Sequence, residues 1–261
     1  MNTVIVPIDF SETSLHAATY AAQLLEGHFG VNMILYHSYN KDTEMQPAND
    51  TLVEIKAKLI DRFSLTIEIL NNKEEDFVAG LERTVRHHSA DLVIMGITGR
   101  SALAQVFIGS NTLRFAEKKA CPVLIIPEHA TYREIKNVML ASDFKDTLNT
   151  TPSVPIKDFL KNFRPNLHIV NVDPQHYISL TESYEKEKQQ LQQLFSLFNP
   201  EFYFMRLYDV DDALNLFAEE KEIDLIISIQ KNHSFREKLF KRSRTKSLSY
   251  HSNIPILIVH E

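Results

Sequence analysis

One stretch of the sequence combines the residue types and the spacing of a phosphate-binding loop. In Gly96–Thr112, GITGRSALAQVFIGSNT, two glycines follow a short apolar run, and a third glycine, after nine intervening residues, opens a helical pattern. Glycine permits a tight turn and close approach of a ligand to the backbone. The first turn of a helix presents free N–H groups and a partial positive charge. The candidate phosphate ligands are Gly96, Gly99, Arg100, Gly109, Ser110, Asn111 and Thr112.

The spacing alone leaves a second interpretation open. The glycines could serve only the geometry of a strand-to-helix connection, with Ser110 as the cap of the helix. The segments GITGRS, IGS and KKACPVLIIP, however, resemble the ATP-binding branch of the universal stress protein (UspA) family, whose loop has the same G-x2-G-x9-G-S pattern. This resemblance implies a site for ATP or another adenine nucleotide, with or without Mg²⁺, and no catalytic residues.

The resemblance also implies which strand ends flank the loop. Ligands of open parallel sheets bind beyond the carboxyl ends of the strands, where the strand order reverses. The family's order 3-2-1-4-5 would bring the end of the first strand, with Pro7 and Asp9, beside Gly96. Asp9 could accept hydrogen bonds from ribose hydroxyls, or it could be a turn or helix-cap residue. The backbone of Ser38, at the end of the second strand, would contact the adenine edge, and His37 is interpreted as a buried polar residue.

Composition places the chain among soluble globular proteins. It has 261 residues, of which 44% are hydrophobic and 24% charged, and its net charge of −6 argues against non-specific nucleic-acid binding. The single cysteine, Cys121, excludes an internal disulfide and a multi-cysteine metal site. The sequence shows no signal-peptide pattern and no run of the roughly 18 apolar residues that a membrane helix needs. We therefore expect a cytoplasmic protein without membrane attachment.

The sequence contains an internal repeat. The matched pairs are Val4–Phe10 with Val138–Phe144 at an offset of 134, Asp91–Ile94 with Asp224–Ile227 at 133, and Cys121–Ile126 with Ile254–Val259 at 133. Three well-separated matches with one residue of drift indicate a duplicated domain. The predicted domains are residues 1–128 and 137–261, joined by a linker at 129–136.

Each half alternates apolar strands with helical patterns. The order βαβαβαβαβ predicts an α/β protein with two tandem, open five-stranded parallel sheets of Rossmann-like type and helices on both faces. Tyr39–Asp50 is predicted to be a polar loop, and Thr181–Phe198 a long helix. The closing strands Pro122–Ile126 and Ile256–Val259 would lie at sheet edges, and we expect them to pair within the chain as a pseudo-two-fold dimer.

The second half lacks the glycine loop. At an offset of 133 the three glycines become Ile229, Asn232 and Arg242, and only Ser243 keeps its residue type. Bulky side chains at these positions predict that this half binds no nucleotide in the manner of the family. The stretch Lys231–Lys246 carries seven Lys or Arg residues against one acid. It could bind an anion or an acidic partner, or it could be a solvated loop.

The sequence lacks the signatures of common enzyme classes. It has no GxxxxGK[ST], no GxSxG and no HExxH, and on a helix the adjacent His87 and His88 would point about 100° apart. No nucleophile–base pair stands beside the glycine loop. Three hypotheses follow: an ATP-binding regulator with an unidentified protein partner, a slow ATPase or adenylyl-transferring enzyme, and an interaction scaffold that binds no nucleotide. The intact loop and the missing catalytic groups favour the first.

Overall fold

The computed structural model of the chain describes residues 1–97, 110–172, 182–205, 210–230 and 253–261, with only the backbone described at 110 and 210–212. The chain divides into two compact units, Met1–Tyr132 and Arg133–Glu261. Each unit is built on a parallel sheet with helices between its strands. This architecture confirms the α/β fold class that the alternation of strands and helices predicts.

The first unit has five strands and four helices among its described residues. These are β1 Thr3–Pro7, α1 Glu12–Leu25, β2 Asn32–Tyr39, α2 Asp42–Arg62, β3 Thr66–Lys73, α3 Phe77–His87, β4 Leu92–Ile97, α4 Ser110–Ala116 and β5 Val123–Pro127. The strands run parallel in the order β3-β2-β1-β4-β5. The strand order therefore reverses between β1 and β4, as the family resemblance implies.

The first strand of the first unit is buried, and α1 packs closely against the sheet. Val4, Ile5 and Val6 of β1 have no exposed surface, as expected of a parallel strand with both faces covered. Helix α1 begins at the predicted cap, because Oγ of Ser11 accepts a hydrogen bond from the backbone N–H of Ser14 at 3.2 Å. The buried face of α1 contains four alanines, and these small side chains let the helix lie close to the strands.

Helix α2 begins earlier than predicted. The polar composition predicts a loop over Tyr39–Asp50, and this prediction is wrong from Asp42 onward. The carboxylate of Glu44 accepts hydrogen bonds from the backbone N–H groups of Asn40 and Lys41, each at 3.2 Å. These bonds satisfy donors that a helix start leaves unpaired. The polar residues that suggest a loop thus include the residue that caps the helix.

The second unit follows the same plan. Its described elements are β6 Asn137–Ala141, α5 Thr147–Thr150, α6 Ser153–Phe163, β7 Asn166–Val172, α7 Glu182–Leu194, a 3₁₀ turn Ser196–Phe198, β8 Glu201–Met205, α8 Val210–Glu220, β9 Leu225–Gln230 and β10 Ile256–His260. The strand order is β10-β9-β6-β7-β8. The predicted helix Thr181–Phe198 is shorter than expected, since α7 ends at Leu194. The stretch Lys231–Lys246 and the predicted last helix lie outside the described residues.

Matched hydrogen bonds make the internal repeat visible in the structure. In the first unit, Oδ2 of Asp91 accepts a hydrogen bond from the backbone N–H of Thr3 at 3.0 Å. In the second unit, Oδ2 of Asp224 accepts one from the backbone N–H of Asn137, also at 3.0 Å. The same carboxylate therefore fixes the start of the first strand in each unit. Across the described ranges, no helix is both long enough and apolar enough to cross a membrane.

Candidate functional site

The carboxyl end of β1 is set back between two longer neighbours. The last pair of β1 with β2 is Pro7 with Tyr36, and Pro7 is buried. Beyond that point β2 continues to Tyr39, paired with β3. On the other side β4 extends to Ile97. This end of β1 lies at the point where the strand order reverses, which is where open parallel sheets bind ligands.

The backbone of Ser38 faces the space beyond the end of β1. Successive residues of a parallel strand direct their N–H and C=O groups to opposite neighbouring strands. On the β1 side, the C=O of Tyr36 accepts a hydrogen bond from the N–H of Ile8 at 2.7 Å. On the β3 side, the C=O of Tyr39 accepts one from the N–H of Glu74 at 2.9 Å. Ser38 alternates with Tyr39, so its N–H and C=O point toward the β1 side, past the last residue of β1.

Asp9 is exposed directly after β1, and the next turn of the chain holds its carboxylate. Oδ1 accepts hydrogen bonds from the backbone N–H of Ser11 at 3.0 Å and from its hydroxyl at 2.5 Å. Partial burial raises the pKa of Asp9, but hydrogen bonding to Ser11 and Ser14 outweighs this effect and lowers it. Asp9 is therefore ionised at neutral pH. The contacts of Oδ1 with Ser11 are those of a turn or helix-cap residue, which is one of the two roles that the sequence allows for Asp9. Within the described residues, no group donates a hydrogen bond to Oδ2.

Gly96 lies inside β4, where it pairs with Ile126 of β5, and not in the turn that follows. A Cβ atom at this position would lie 2.5 Å from the carbonyl oxygen and 2.7 Å from Cγ2 of Thr13. Thr13 belongs to the first turn of α1. Close packing of helix on strand is one of the uses of glycine in nucleotide-binding folds. The structure therefore gives Gly96 a packing role that needs no ligand.

The remaining predicted ligands are only partly described. Thr112 is 3% exposed, and its hydroxyl donates a hydrogen bond to the C=O of Gly96 at 3.2 Å, which ties α4 to the end of β4. Asn111 is exposed, with Oδ1 3.5 Å from Nη1 of Arg114. Ser110, the first residue of α4, is described by its backbone alone. Gly99, Arg100 and Gly109 lie outside the described residues. The phosphate end of the site therefore stays a prediction.

Two aromatic side chains that were not among the predicted ligands pack together beside Asp9. The rings of Phe10 and His37 have their centroids 4.5 Å apart, and Nδ1 of His37 lies 2.6 Å from the carbonyl oxygen of Ile8. Phe10 has a φ of +66°, a conformation that bulky residues rarely adopt. The repeat carried a sequence signal for Phe10 alone, which is matched by Phe144. In the structure Phe144 also has a positive φ, of +53°.

In the second unit, side chains of α7 occupy the corresponding position. Tyr184 stacks on Phe144, with centroids 5.8 Å apart and ring planes at 13°. Its hydroxyl donates a hydrogen bond to Oδ1 of Asn171 at 3.1 Å. One turn later, Oε2 of Glu187 accepts hydrogen bonds from the backbone N–H and the hydroxyl of Thr147, at 2.8 and 2.7 Å. Tyr184 thus covers the counterparts of Phe10 and His37 in the second unit.

The described residues include other reactive or titratable side chains that lie away from the candidate site. Within the described ranges, no three His, Cys, Asp or Glu side chains are grouped so that they could hold a metal ion. Burial raises the pKa of the Cys121 thiol to about 12, which makes it a poor nucleophile at neutral pH. His168, on β7, is 6% exposed, and burial lowers its pKa although the Glu201 carboxylate 3.6 Å away opposes this effect. Neither residue lies at the carboxyl ends of the strands.

Comparison with known proteins gives a family match over the first half of the chain and a fold match over the whole. Residues 1–127 match the sequence model of the universal stress protein family. The crystal structure of a universal stress protein from Archaeoglobus fulgidus aligns over 99% of this chain and 98% of its own, at 15% identity and a TM-score of 0.70. A candidate universal stress protein from Pseudomonas aeruginosa UCBPP-PA14 aligns over 100% and 93%, at 13% identity and a TM-score of 0.61.

The fold match extends to a protein with a different role. The cytoplasmic domain of a prokaryotic cation chloride cotransporter aligns over 98% of this chain and 94% of its own, at 12% identity and a TM-score of 0.55. At such identities the structural matches show the fold alone. No curated protein matches the chain. A fold shared by proteins of different roles does not specify a function, which depends on the residues of the site.

Proposed function

The chain belongs to the universal stress protein family through its first half, residues 1–127, and we propose that it binds one adenine nucleotide, in the first unit, as a regulator. The observation that carries this proposal is the set-back end of β1. The open backbone groups of Ser38 and the ionised carboxylate of Asp9 lie there, where the strand order reverses. This is the place at which open parallel sheets bind nucleotides.

Each part of the nucleotide has a protein group of suitable chemistry. The N–H and C=O of Ser38 form a donor–acceptor pair that complements the Watson–Crick edge of adenine. Oδ2 of Asp9 is suited to accept hydrogen bonds from ribose hydroxyls. Gly99, Gly109 and Ser110 would hold the phosphates through backbone N–H groups, as the family resemblance implies. Mg²⁺, if it binds, would be held mainly by the phosphates, since the described residues contain no cluster of acidic ligands for it.

The second unit is proposed to bind no nucleotide. Ile229 pairs with Val259 in the register in which Gly96 pairs with Ile126, so a branched side chain stands at the position of the glycine. Tyr184 covers the residues that correspond to Phe10 and His37. A nucleotide in this unit would have to displace the Tyr184 ring from Phe144 and break the hydrogen bond of its hydroxyl. We therefore expect a stoichiometry of one nucleotide per chain.

A regulatory role is favoured over catalysis. Of the titratable side chains at the set-back end, hydrogen bonds keep Asp9 ionised and weakly basic. His37 adjoins Ser38, the residue proposed to contact adenine, and not the glycine loop proposed to hold the phosphates. A general base that activates water works best with a pKa near the operating pH. We therefore expect ATP hydrolysis to be absent or slower than about 1 per second. The bound nucleotide would instead alter how the protein meets a protein partner in a stress response.

Calorimetry with ATP on the full chain tests the site. Asp9→Asn should weaken binding by about 10-fold or more, because hydrogen bonds to a charged group contribute about 1.5–3 kcal/mol. Asp143→Asn, the matched change in the second unit, should leave binding unchanged. Gly99→Val and Gly109→Arg should abolish binding through steric block of the phosphate end. Two equivalent sites, or full binding by both glycine variants, would contradict the proposal.

Labelled ATP separates the alternatives. Retention without product would support the regulator, and sustained release of ADP or transfer of an adenylyl group would indicate an enzyme. Absence of retention would indicate a scaffold. Mass spectrometry of nucleotide that copurifies with the protein would identify which adenylate it holds.

A further inference from the structure

The two units hold corresponding pairs of side chains beside the ends of their first strands, and the pairs differ in what covers them. Phe10 with His37 in the first unit corresponds to Phe144 with Asn171 in the second, both at an offset of 134. Phe144 is 3% exposed beneath Tyr184, whereas Phe10 is more exposed. The second unit therefore shows what this pair of positions accepts: an aromatic ring that stacks on the phenylalanine.

The hydrogen bonds of the two pairs also correspond. Nδ2 of Asn171 donates to the C=O of Ser142 at 2.9 Å, and Nδ1 of His37 lies 2.6 Å from the C=O of Ile8. Ser142 and Ile8 are themselves repeat partners at an offset of 134. Each side chain thus uses a nitrogen to contact the end of the first strand. In the second unit the remaining polar atom, Oδ1 of Asn171, accepts the hydroxyl of Tyr184 at 3.1 Å.

The contact with Ile8 fixes the tautomer of the neutral His37 ring. A carbonyl oxygen can only accept, so Nδ1 must carry the hydrogen that it donates. Nε2 is then an acceptor, as Oδ1 of Asn171 is in the second unit. In both units a phenylalanine ring therefore lies beside a hydrogen-bond acceptor. In the second unit the group that contacts both is Tyr184, an aromatic ring whose hydroxyl is a donor.

We infer that Phe10 and His37 form a base platform in the first unit and that His37 selects a purine with a 6-amino group. This inference rests on the proposed function and specifies the base. Phe10 stacks on the purine ring, and Nε2 of His37 accepts a hydrogen bond from the 6-amino group. A 6-oxo purine presents an acceptor at the same point, and two acceptors repel. Tyr184 is the intramolecular counterpart of the base in the second unit.

The role of His37 is compatible with that of Ser38. An amino group has two hydrogens, so the C=O of Ser38 can accept one and Nε2 of His37 the other. His37 and Ser38 are consecutive in β2, and both lie beyond the last residue of β1. Loss of the His37 acceptor should therefore reduce the preference for adenine without abolishing it.

The test compares ATP with inosine triphosphate, its 6-oxo analogue, by calorimetry on the full chain. His37→Leu removes the acceptor, and the ratio of the two dissociation constants should fall by about fivefold relative to the unchanged protein. His37→Asn restores the acceptor that the second unit uses and should keep the preference. Asn171→Leu, the matched change in the second unit, should leave the ratio unaltered.

Phe10→Leu supplies a second measurement that does not depend on His37. Loss of stacking should weaken ATP and the 6-oxo analogue together by about 10-fold, because stacking of a base on an aromatic ring contributes about 1–3 kcal/mol. An unchanged preference for ATP over the 6-oxo analogue in a folded His37→Leu variant would overturn the platform while leaving the nucleotide site in place. Unchanged affinities for both nucleotides in Phe10→Leu would do the same. Absence of ATP binding by the unchanged protein would overturn the platform and the proposed function together.

Discussion

Replacement of Gly96 by alanine separates the packing role of this residue from a role in ligand binding. The added Cβ would lie 2.5 Å from the carbonyl oxygen of Thr13. Contacts between carbon and a carbonyl oxygen are ordinarily about 3.3 Å or longer. Helix α1 would therefore have to move by about 0.8 Å, away from a strand that is buried against it. The obstacle is backbone, which cannot rotate aside as a flexible side chain can.

The expected loss of stability follows from two opposing effects. Inserting a methyl group into a close-packed site costs about 1–3 kcal/mol. Alanine in a strand is intrinsically favoured over glycine by about 0.5–1 kcal/mol. Gly96→Ala should therefore lower the free energy of unfolding of the first unit by about 1–2 kcal/mol, without any nucleotide present. Gly30→Ala is the control, because nothing lies within 4 Å of its Cβ position and its cost comes only from a φ of +82°.

Urea unfolding of the nucleotide-free protein gives the stability change, and hydrogen exchange locates it. Exchange should accelerate in peptides from Glu12–Leu25 and Leu92–Ile97 in the Gly96→Ala variant, and not in the Gly30→Ala variant. The packing argument would be refuted if Gly96→Ala left stability and exchange unchanged while weakening nucleotide affinity. In that case the glycine would serve the approach of a ligand to the backbone.

Three further predictions concern titration, reactivity and assembly. Burial lowers the pKa of His168 below its unfolded value of about 6.5, so its neutral form stabilises the fold above that pH. Stability should fall as the pH drops from about 7 toward 5, and His168→Phe should reduce this slope whereas the exposed-site control His129→Gln should not. Cys121 should resist iodoacetamide at about pH 8 until the protein is unfolded, and rapid labelling of the native protein would contradict its burial. The fragment 1–128 should dimerise or aggregate if its edge strand Pro122–Ile126 pairs within the full chain, as the sequence predicts, and its sedimentation as a stable monomer would contradict that prediction.

The sequence predicted those parts of the fold that depend on local patterns. Buried strands such as Leu92–Ile97 appear as apolar runs because both faces of a parallel strand are covered. Ser11 could be identified as a cap because a hydroxyl before an apolar helical pattern satisfies the free N–H groups of the first turn. The repeat could be detected because matched segments keep a nearly constant offset. Asp9 was a candidate because it follows the first strand directly.

The start of helix α2 was harder to predict from the sequence, because polar contacts with distant residues set it. Helix α2 begins at Asp42 because Glu44 turns back to cap it, and because Met45 and Asp42 are held by Asn71 and Lys73 of β3. The two β3 residues lie more than 20 positions away in the sequence. A polar segment with a proline at position 47 is typical of a loop when those contacts are unknown.

The sequence by itself determined the α/β class, the duplication and the residue types available at the strand ends, because these are properties of short segments. Tertiary structure alone decided what those residues do. It placed the backbone of Thr13 against Gly96, so that a predicted turn glycine became a packing glycine. It also brought Tyr184 onto Phe144, which differ by 40 positions in the chain. Contacts between distant segments depend on how helices pack on the sheet, and no local pattern of residues records that arrangement.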